Sequence, residues 1–328
     1  YRRYDDVRLV FAPEEAVSAF GGDPDNFNFP RWNLDMALLR VYEDDQPAYT
    51  PNFLRIEAAG AEPGDVVFVT GHPGSTDRLL TVAELRFQRD VVLPDWLARY
   101  NELRGRYIQF SKMDDEAFRV VQNRLSNTEN SIKVRRNEMK ALLDEALLRE
   151  KEREESALRR IVIADPELAP VYGSAWDEIN TAQHVYLEFR SHYLYNEAAV
   201  GFNSDLFSYA RTLVRAAEEV SKPNQDRLRE YTDSALPQVE QRLLAPSPVD
   251  TRLELLTLSY SLEKMRETLG VDDPFVQKVL GIESPDSLAE KLITGSRLAD
   301  PEVRKKVWEG GAEAIGDSDD PMISMARI

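Results

Sequence analysis

The sequence predicts an α+β multidomain chain: a mainly β segment over residues 1–80, then a large all-helical domain over 81–305, with 306–328 closing the helical part. Three observations carry this reading. Turn-forming residues thin out abruptly: residues 1–80 hold six of the fifteen Gly and seven of the eighteen Pro, whereas residues 81–305, nearly three times as long, hold six and ten. The apolar period changes from two to that of a helix at the same place. The chain is also longer than a single core usually supports, which favours about two domains.

Each element follows in order. Val7, Leu9 and Phe11 alternate at period two and Pro13 ends that strand. "NLDMALLRVY" at Asn33 to Tyr42 reads as a second strand, and "PGD" turns the chain into a third at Val66 to Val69. Beyond Thr81, Trp96, Tyr100, Leu103, Tyr107 and Phe110 fall at i, i+4, i+7, i+11 and i+14, a stripe that packs against another helix. Further helices are predicted over 116–161, 175–195, 205–221, 248–269 and 284–294, broken at "DPELAPVYG", "SKPN" and "APSPVD". "LLDEALLREKEREESALRRI" reads as a charged, solvated helix. No repeat of fixed period and no low-complexity tract is present.

Composition removes several classes of function. The balance of 41 basic and 58 acidic residues, a net charge of −17, argues against a nucleic-acid backbone or an anionic membrane surface as partner. No apolar run approaches the roughly 20 residues of a membrane span, and no charged-then-apolar signal segment opens the chain. Without cysteine there is no thiol nucleophile, thiolate metal site or disulfide in this sequence. Because "YDDVRLVF" is already strand-like, the start of the protein is expected upstream of Tyr1.

Four strings could carry chemistry. Asp35 opens an apolar strand, where chymotrypsin-like barrels place the carboxylate that orients a catalytic histidine; an ordinary strand-start aspartate is the competing reading. "GGDPDNFNFPRW" at Gly21 to Trp32 interleaves Phe27, Phe29 and Trp32 with Asp23, Asp25 and Asn26, so it either walls a cationic or polar substrate group off from water or forms a packed corner. "VVFVTGHPGSTDR" invites a His72 and Ser75 dyad, but the string is not a nucleophile elbow and Pro73 and Gly74 intervene, so a plain turn is expected. His184, Glu188 and His192 fall at i, i+4 and i+8 on a helix; their spacing differs from H-E-x-x-H and their neighbours are aromatic, so packing rather than a metal is expected.

Together "LVFAPEEAVSAFGGDPDNFNFPRWNLDMALLRVY", "GHPGSTDRLLTVAELRFQRDVVLP", "NTENSIKVRRNEMKALLD" and "DPMISMAR" resemble the bacterial serine dipeptidyl-peptidase 7 and 11 family over most of the chain. The resemblance implies a chymotrypsin-like double β-barrel with the helical domain inserted as a lid that restricts action to exopeptidase cleavage, residues 306–328 leading back towards the barrel. In the family the triad runs His, Asp, Ser along the chain. Asp35 matches the aspartate, while the histidine is expected upstream of Tyr1 and the serine downstream of Ile328, so the chain alone is expected to be inactive. Asn26, nine residues before Asp35, and the adjacent Phe27 match positions that hold the substrate's free α-amino group. A tryptophan often stands in the family where this sequence has Phe27.

The expected function is thus a serine exopeptidase releasing dipeptides from free N-termini by acyl transfer, without metal or organic cofactor. Peptides with a free N-terminus are the expected partners, a homodimer is a further expectation, and the implied location is the periplasm or exterior of a Gram-negative bacterium. Two other classes compete: a chymotrypsin-like endopeptidase with an accessory helical domain, and a non-enzymatic helical interaction module.

Overall fold

Contacts divide the chain into a first unit, Tyr1–Leu79, and a second, Leu80–Ile328. The computed structural model describes residues 2–18, 33–68 and 79–328.

In the first unit β1 (Asp6–Phe11), α1 (Glu15–Ser18), β2 (Leu38–Glu43) and β3 (Gln46–Pro47) follow one another, and the strands form one antiparallel sheet in the order β1-β2-β3. Val7 faces Val41 and Leu9 faces Leu39, and a shift in register separates Leu9 from Phe11. β2 and β3 are joined through Asp44 and Asp45, with φ of 51° and 59°. Two successive left-handed residues make the type I′ geometry that matches strand twist, and Asp tolerates it better than most. Arg8 ties the ribbon: it meets Asp6 at 2.6 Å and Asp45 at 2.5 Å and lies 4.0 Å from the centre of the Tyr42 ring.

Among the described residues the sheet is a three-stranded ribbon, too few strands to close a barrel by themselves. The strand expected at Val66 to Val69 is corrected for Val66, Val67 and Phe68, which find no ladder partner among the described residues and stay exposed; Val69 lies outside them. The "PGD" turn before them does form, with Gly64 at φ 104° and the Asp65 amide donating to the Glu62 carbonyl at 3.0 Å.

The second unit is entirely helical among its described residues. It runs α2 (Val82–Phe87), a π-turn over Gln88–Val92, α3 (Leu93–Phe110), α4 (Asp115–Leu142), α5 (Glu145–Ala164), α6 (Ala169–Tyr172) and α7 (Ala175–His192). A second π-turn (Tyr193–Glu197) and a 3₁₀ turn (Val200–Phe202) lead into α8 (Asp205–Val220), α9 (Leu236–Leu244), α10 (Thr251–Leu269), α11 (Pro274–Leu280), α12 (Pro285–Gly295), α13 (Pro301–Gly316) and α14 (Pro321–Ala326). The helix predicted over 116–161 is two helices. Leu143 ends the first, and Asp144 accepts from the Ala146 amide to start the second, a cap hidden in a run of helix formers.

The core is arranged around α10. Leu258, Leu262 and Met265, all fully buried, share one face and meet Leu206, Leu213, Leu292 and Met322 of α8, α12 and α14. Leu253 and Tyr260, seven residues apart, point the other way and close a second cluster with Leu103, Tyr107 and Phe110 of α3 and Val121 of α4. Between these seams runs a polar strip that includes Glu254, buried to 1% exposure. Its carboxylate accepts from the Ser204 hydroxyl at 2.7 Å and the Leu206 amide at 3.1 Å, and Arg124 of α4 reaches its other oxygen at 3.2 Å. Ser204 in turn caps α8 by accepting from the Phe207 amide. Arg304 of α13, wholly buried, donates to the carbonyls of Leu243, Ala245, Leu298 and Ala299 and stacks 4.2 Å from the Tyr209 ring centre. It closes the carboxyl end of α9, whose carbonyls have no partner of their own there.

Two outcomes test this packing. Leu262→Ala should lower unfolding free energy by about 2–5 kcal/mol in urea, as a large-to-small change does in a fully packed site. Burial, with Asp205 adding to it, holds the Glu254 carboxyl above its ordinary range despite the Ser204, Leu206 and Arg124 contacts. A carboxyl whose pKa is higher folded than unfolded stabilises most when protonated, below about pH 4.5, and that contribution is lost as pH rises through the folded value. Glu254→Gln cannot ionise, so the stability advantage of wild type over this variant should shrink between about pH 4.5 and pH 7. An advantage that grows over that window would mean the carboxylate is held ionised by Arg124.

Candidate functional site

Asp35 lies three residues before β2 and is exposed. The segment carrying it is pinned to the end of α1: the Leu34 amide donates to the Val17 carbonyl at 3.1 Å, and the Asn33 side-chain amide to the Ser18 carbonyl at 3.4 Å. Ser18 and Asn33, which flank residues 19–32 in the sequence, are thus in contact near Asp35. Asn26 and Phe27, the positions matched to amine binding, lie outside the described residues, as do the rest of the Gly21 to Trp32 string and the His72 and Ser75 pair. His72 is the one histidine in the first unit's sequence, so no described imidazole of that unit faces Asp35.

In the second unit His184, Glu188 and His192 are all exposed on α7. His192 Nε2 faces Asp273 Oδ2 at 3.2 Å, while Asp273 Oδ1 caps α11 through the amides of Phe275 and Val276. This pairing couples the end of α7 to the start of α11 and leaves His184 and Glu188 to themselves. Among the described residues no group of three His, Cys, Asp or Glu side chains could hold a metal ion. The aromatic neighbours pack as expected: Tyr186 meets Phe87, Phe189 and Tyr193 with ring centres 5.8, 5.4 and 6.2 Å apart. Beside them Ser174, Asp177, Thr181, Val185 and Phe189 line a shallow hollow on the exposed face of α7.

One charged group escaped the sequence reading. Arg99 stands within the apolar stripe of α3, three residues after Trp96 and four before Leu103, and is buried to 9% exposure. It shares Asp95 with Arg190 of α7: Arg190 Nη2 donates to Asp95 Oδ2 at 2.9 Å, whereas Arg99 Nε is 3.5 Å from Asp95 Oδ1. Helical phase was the available signal, since an arginine between stripe residues faces the packed side. No described helix is long and apolar enough to cross a membrane.

The fold defines the class first. The chain, mainly helical with a small antiparallel sheet, superposes on the crystal structure of Porphyromonas endodontalis DPP11 with a TM-score of 0.53 at 18% identity, covering 99% of this chain and 48% of that one. At that identity the likeness is one of fold. The profile of the peptidase S46 family matches residues 1–328, and the chain belongs to that family. An Asp/Glu-specific dipeptidyl-peptidase of Shewanella putrefaciens is 26% identical over 98% of this chain and 45% of its own length. The dipeptidyl-peptidase 7 of Porphyromonas gingivalis is 41% identical over 92 residues, 25% of this chain and 13% of the relative. The chain thus spans about half the length of the relative it matches from end to end.

The geometry of α7 predicts that His184→Ala and His192→Ala alter no metal content, and that elemental analysis of the purified chain finds no stoichiometric zinc. One zinc per chain, lost in either variant, would restore the helix-face metal site.

Proposed function

We propose that this chain is the central part of a serine exopeptidase that releases dipeptides from the free N-terminus of peptides in the periplasm or outside the cell. The observation that carries the reading is the peptidase S46 match across all 328 residues, with relatives of both dipeptidyl-peptidase types aligning to the chain. In this reading Asp35 accepts a hydrogen bond from one nitrogen of a histidine supplied by another part of the protein. That bond sets the tautomer that can take the serine proton and steadies the imidazolium formed as the acyl intermediate builds. Such an aspartate needs a dry setting, and the exposure of Asp35 in this chain calls for further barrel structure over it.

The β1–β2 ribbon supports the same view. Leu9 and Leu39 pair across it yet remain 65% and 63% exposed, so the ribbon keeps an apolar face that a second layer of a β-barrel would bury. The helical unit acts in this proposal as the lid that makes room for two residues before the scissile bond. Asn26 and Phe27 receive the substrate's α-ammonium, Asn26 accepting a hydrogen bond from it and Phe27 excluding water.

The test uses the complete protein containing this chain. It should cleave a tripeptide reporter with a free N-terminus and leave the N-acetylated reporter intact; equal cleavage of both would indicate an endopeptidase instead. Asp35→Asn should fold normally while kcat falls by about 10³ to 10⁴. Asn26→Ala should lower kcat/KM on free-amine peptides roughly 10-fold to 150-fold, the value of one hydrogen bond to a charged group, with the residual rate on blocked peptide unchanged. The same loss on both reporters would return the loop to a purely supporting role.

A further inference from the structure

We propose that the helical unit carries a binding pocket for a small organic carboxylate, organised by Arg99. The inference is independent of the peptidase reading. A cavity of about 350 Å³ opens between α3, the Val200–Phe202 turn, the start of α8 and α10, within the size range of small-molecule sites. Tyr100, Phe202 and Tyr260 wall it, and Arg99, Ser261 and Lys264 add polar groups.

Arg99 is the group that lacks an explanation in the fold. A guanidinium carries five N–H donors, and one with 9% exposure is expected to spend them on protein acceptors. Among the described residues its buried Nε makes no hydrogen bond, and its ion pair with Asp95 is long. The nearest acid, Asp95, stands 3.5 Å away and already receives Arg190. Two arginines therefore share one carboxylate, which leaves one positive charge over among these three groups, with Arg99 the one that lines the cavity. Arg304 offers the contrast within the same unit: wholly buried, it spends its donors on four carbonyls.

The neighbouring groups fit a monovalent acid with an apolar body. Lys264 Nζ, at 13% exposure, is 2.6 Å from both Glu102 and Glu267, so its charge is more than offset, although an ammonium has a third N–H to offer. Asp205 at the rim is engaged by Arg124 at 2.6 Å. The Tyr260 hydroxyl donates to the Arg99 backbone carbonyl at 2.5 Å, which fixes ring and arginine backbone together. A carboxylate accepts the guanidinium fork through two parallel hydrogen bonds, and the tyrosine and phenylalanine rings cover the rest of the molecule.

Calorimetric titration of the chain with benzoate, and with neutral benzamide of the same shape, tests the proposal. Saturable benzoate binding is expected, with benzamide weaker by about 10-fold or more. Arg99→Gln should weaken benzoate binding by roughly 10-fold to 100-fold. Should that variant fail to fold, Ser208→Trp decides: Ser208 is exposed at the cavity mouth, so the indole blocks entry without disturbing the core, and circular dichroism verifies the fold. No saturable benzoate binding, equal affinity for benzamide, or undiminished binding to folded Ser208→Trp would each overturn the pocket.

Discussion

The helical unit depends on one buried carboxylate. Glu254 sits between the two apolar seams of α10 and is reached from three directions, by the hydroxyl that caps α8, by the next turn's amide and by Arg124 of α4. An unpaired buried acid would cost several kcal/mol, so these donors must assemble wherever α10 is packed. The demand fixes the start of α8 against α10 and brings α4 to the same point. Hydrophobic burial supplies most of the stabilisation, but apolar seams alone tolerate sliding, whereas a carboxylate with three directed donors admits one register.

The same logic recurs at the edges of the unit. Arg304 binds the frayed end of α9 to α13 through carbonyls that no helix hydrogen bond could satisfy. Asp273 serves two elements at once, one oxygen capping α11 and the other meeting His192 at the end of α7. Polar groups at helix ends thereby determine how helices join, while the seams determine which faces meet. Arg99 departs from this pattern, because its Nε is buried among the described residues without a hydrogen bond.

The first unit has a different balance. Its hairpin geometry is set locally by Asp44, Asp45 and Arg8, groups close in sequence or directly cross-strand. Its apolar side chains gain little, since a three-stranded ribbon has no opposing layer among the described residues. Local chemistry is enough to shape this sheet and insufficient to bury it.

How much could be read beforehand follows from the range of each interaction. The stripe from Trp96 to Phe110, the alternation at Val7 to Phe11 and the strand after Asp35 were legible because period depends only on which residues must face one side. Three helices were not picked out although a local signal was present: Asp273-Pro274, Asp300-Pro301 and Asp320-Pro321 each place a cap and a first-turn proline together, as does Ser284-Pro285 at the start of the helix that was predicted there. Asp35 could be singled out by its place before an apolar strand, and Asn26 and Phe27 through the family likeness; the structure reports on Asp35 alone of these. The sequence by itself determined the order of β before α, the helix faces, the peptidase S46 membership and the acid expected in the chemistry. Only the tertiary structure decided that α10 lies at the centre, that Glu254 is buried and satisfied, and that Arg99 is buried and not. Those outcomes join residues as far apart as Arg124 and Glu254, and no local pattern encodes which distant donor will arrive at a buried charge.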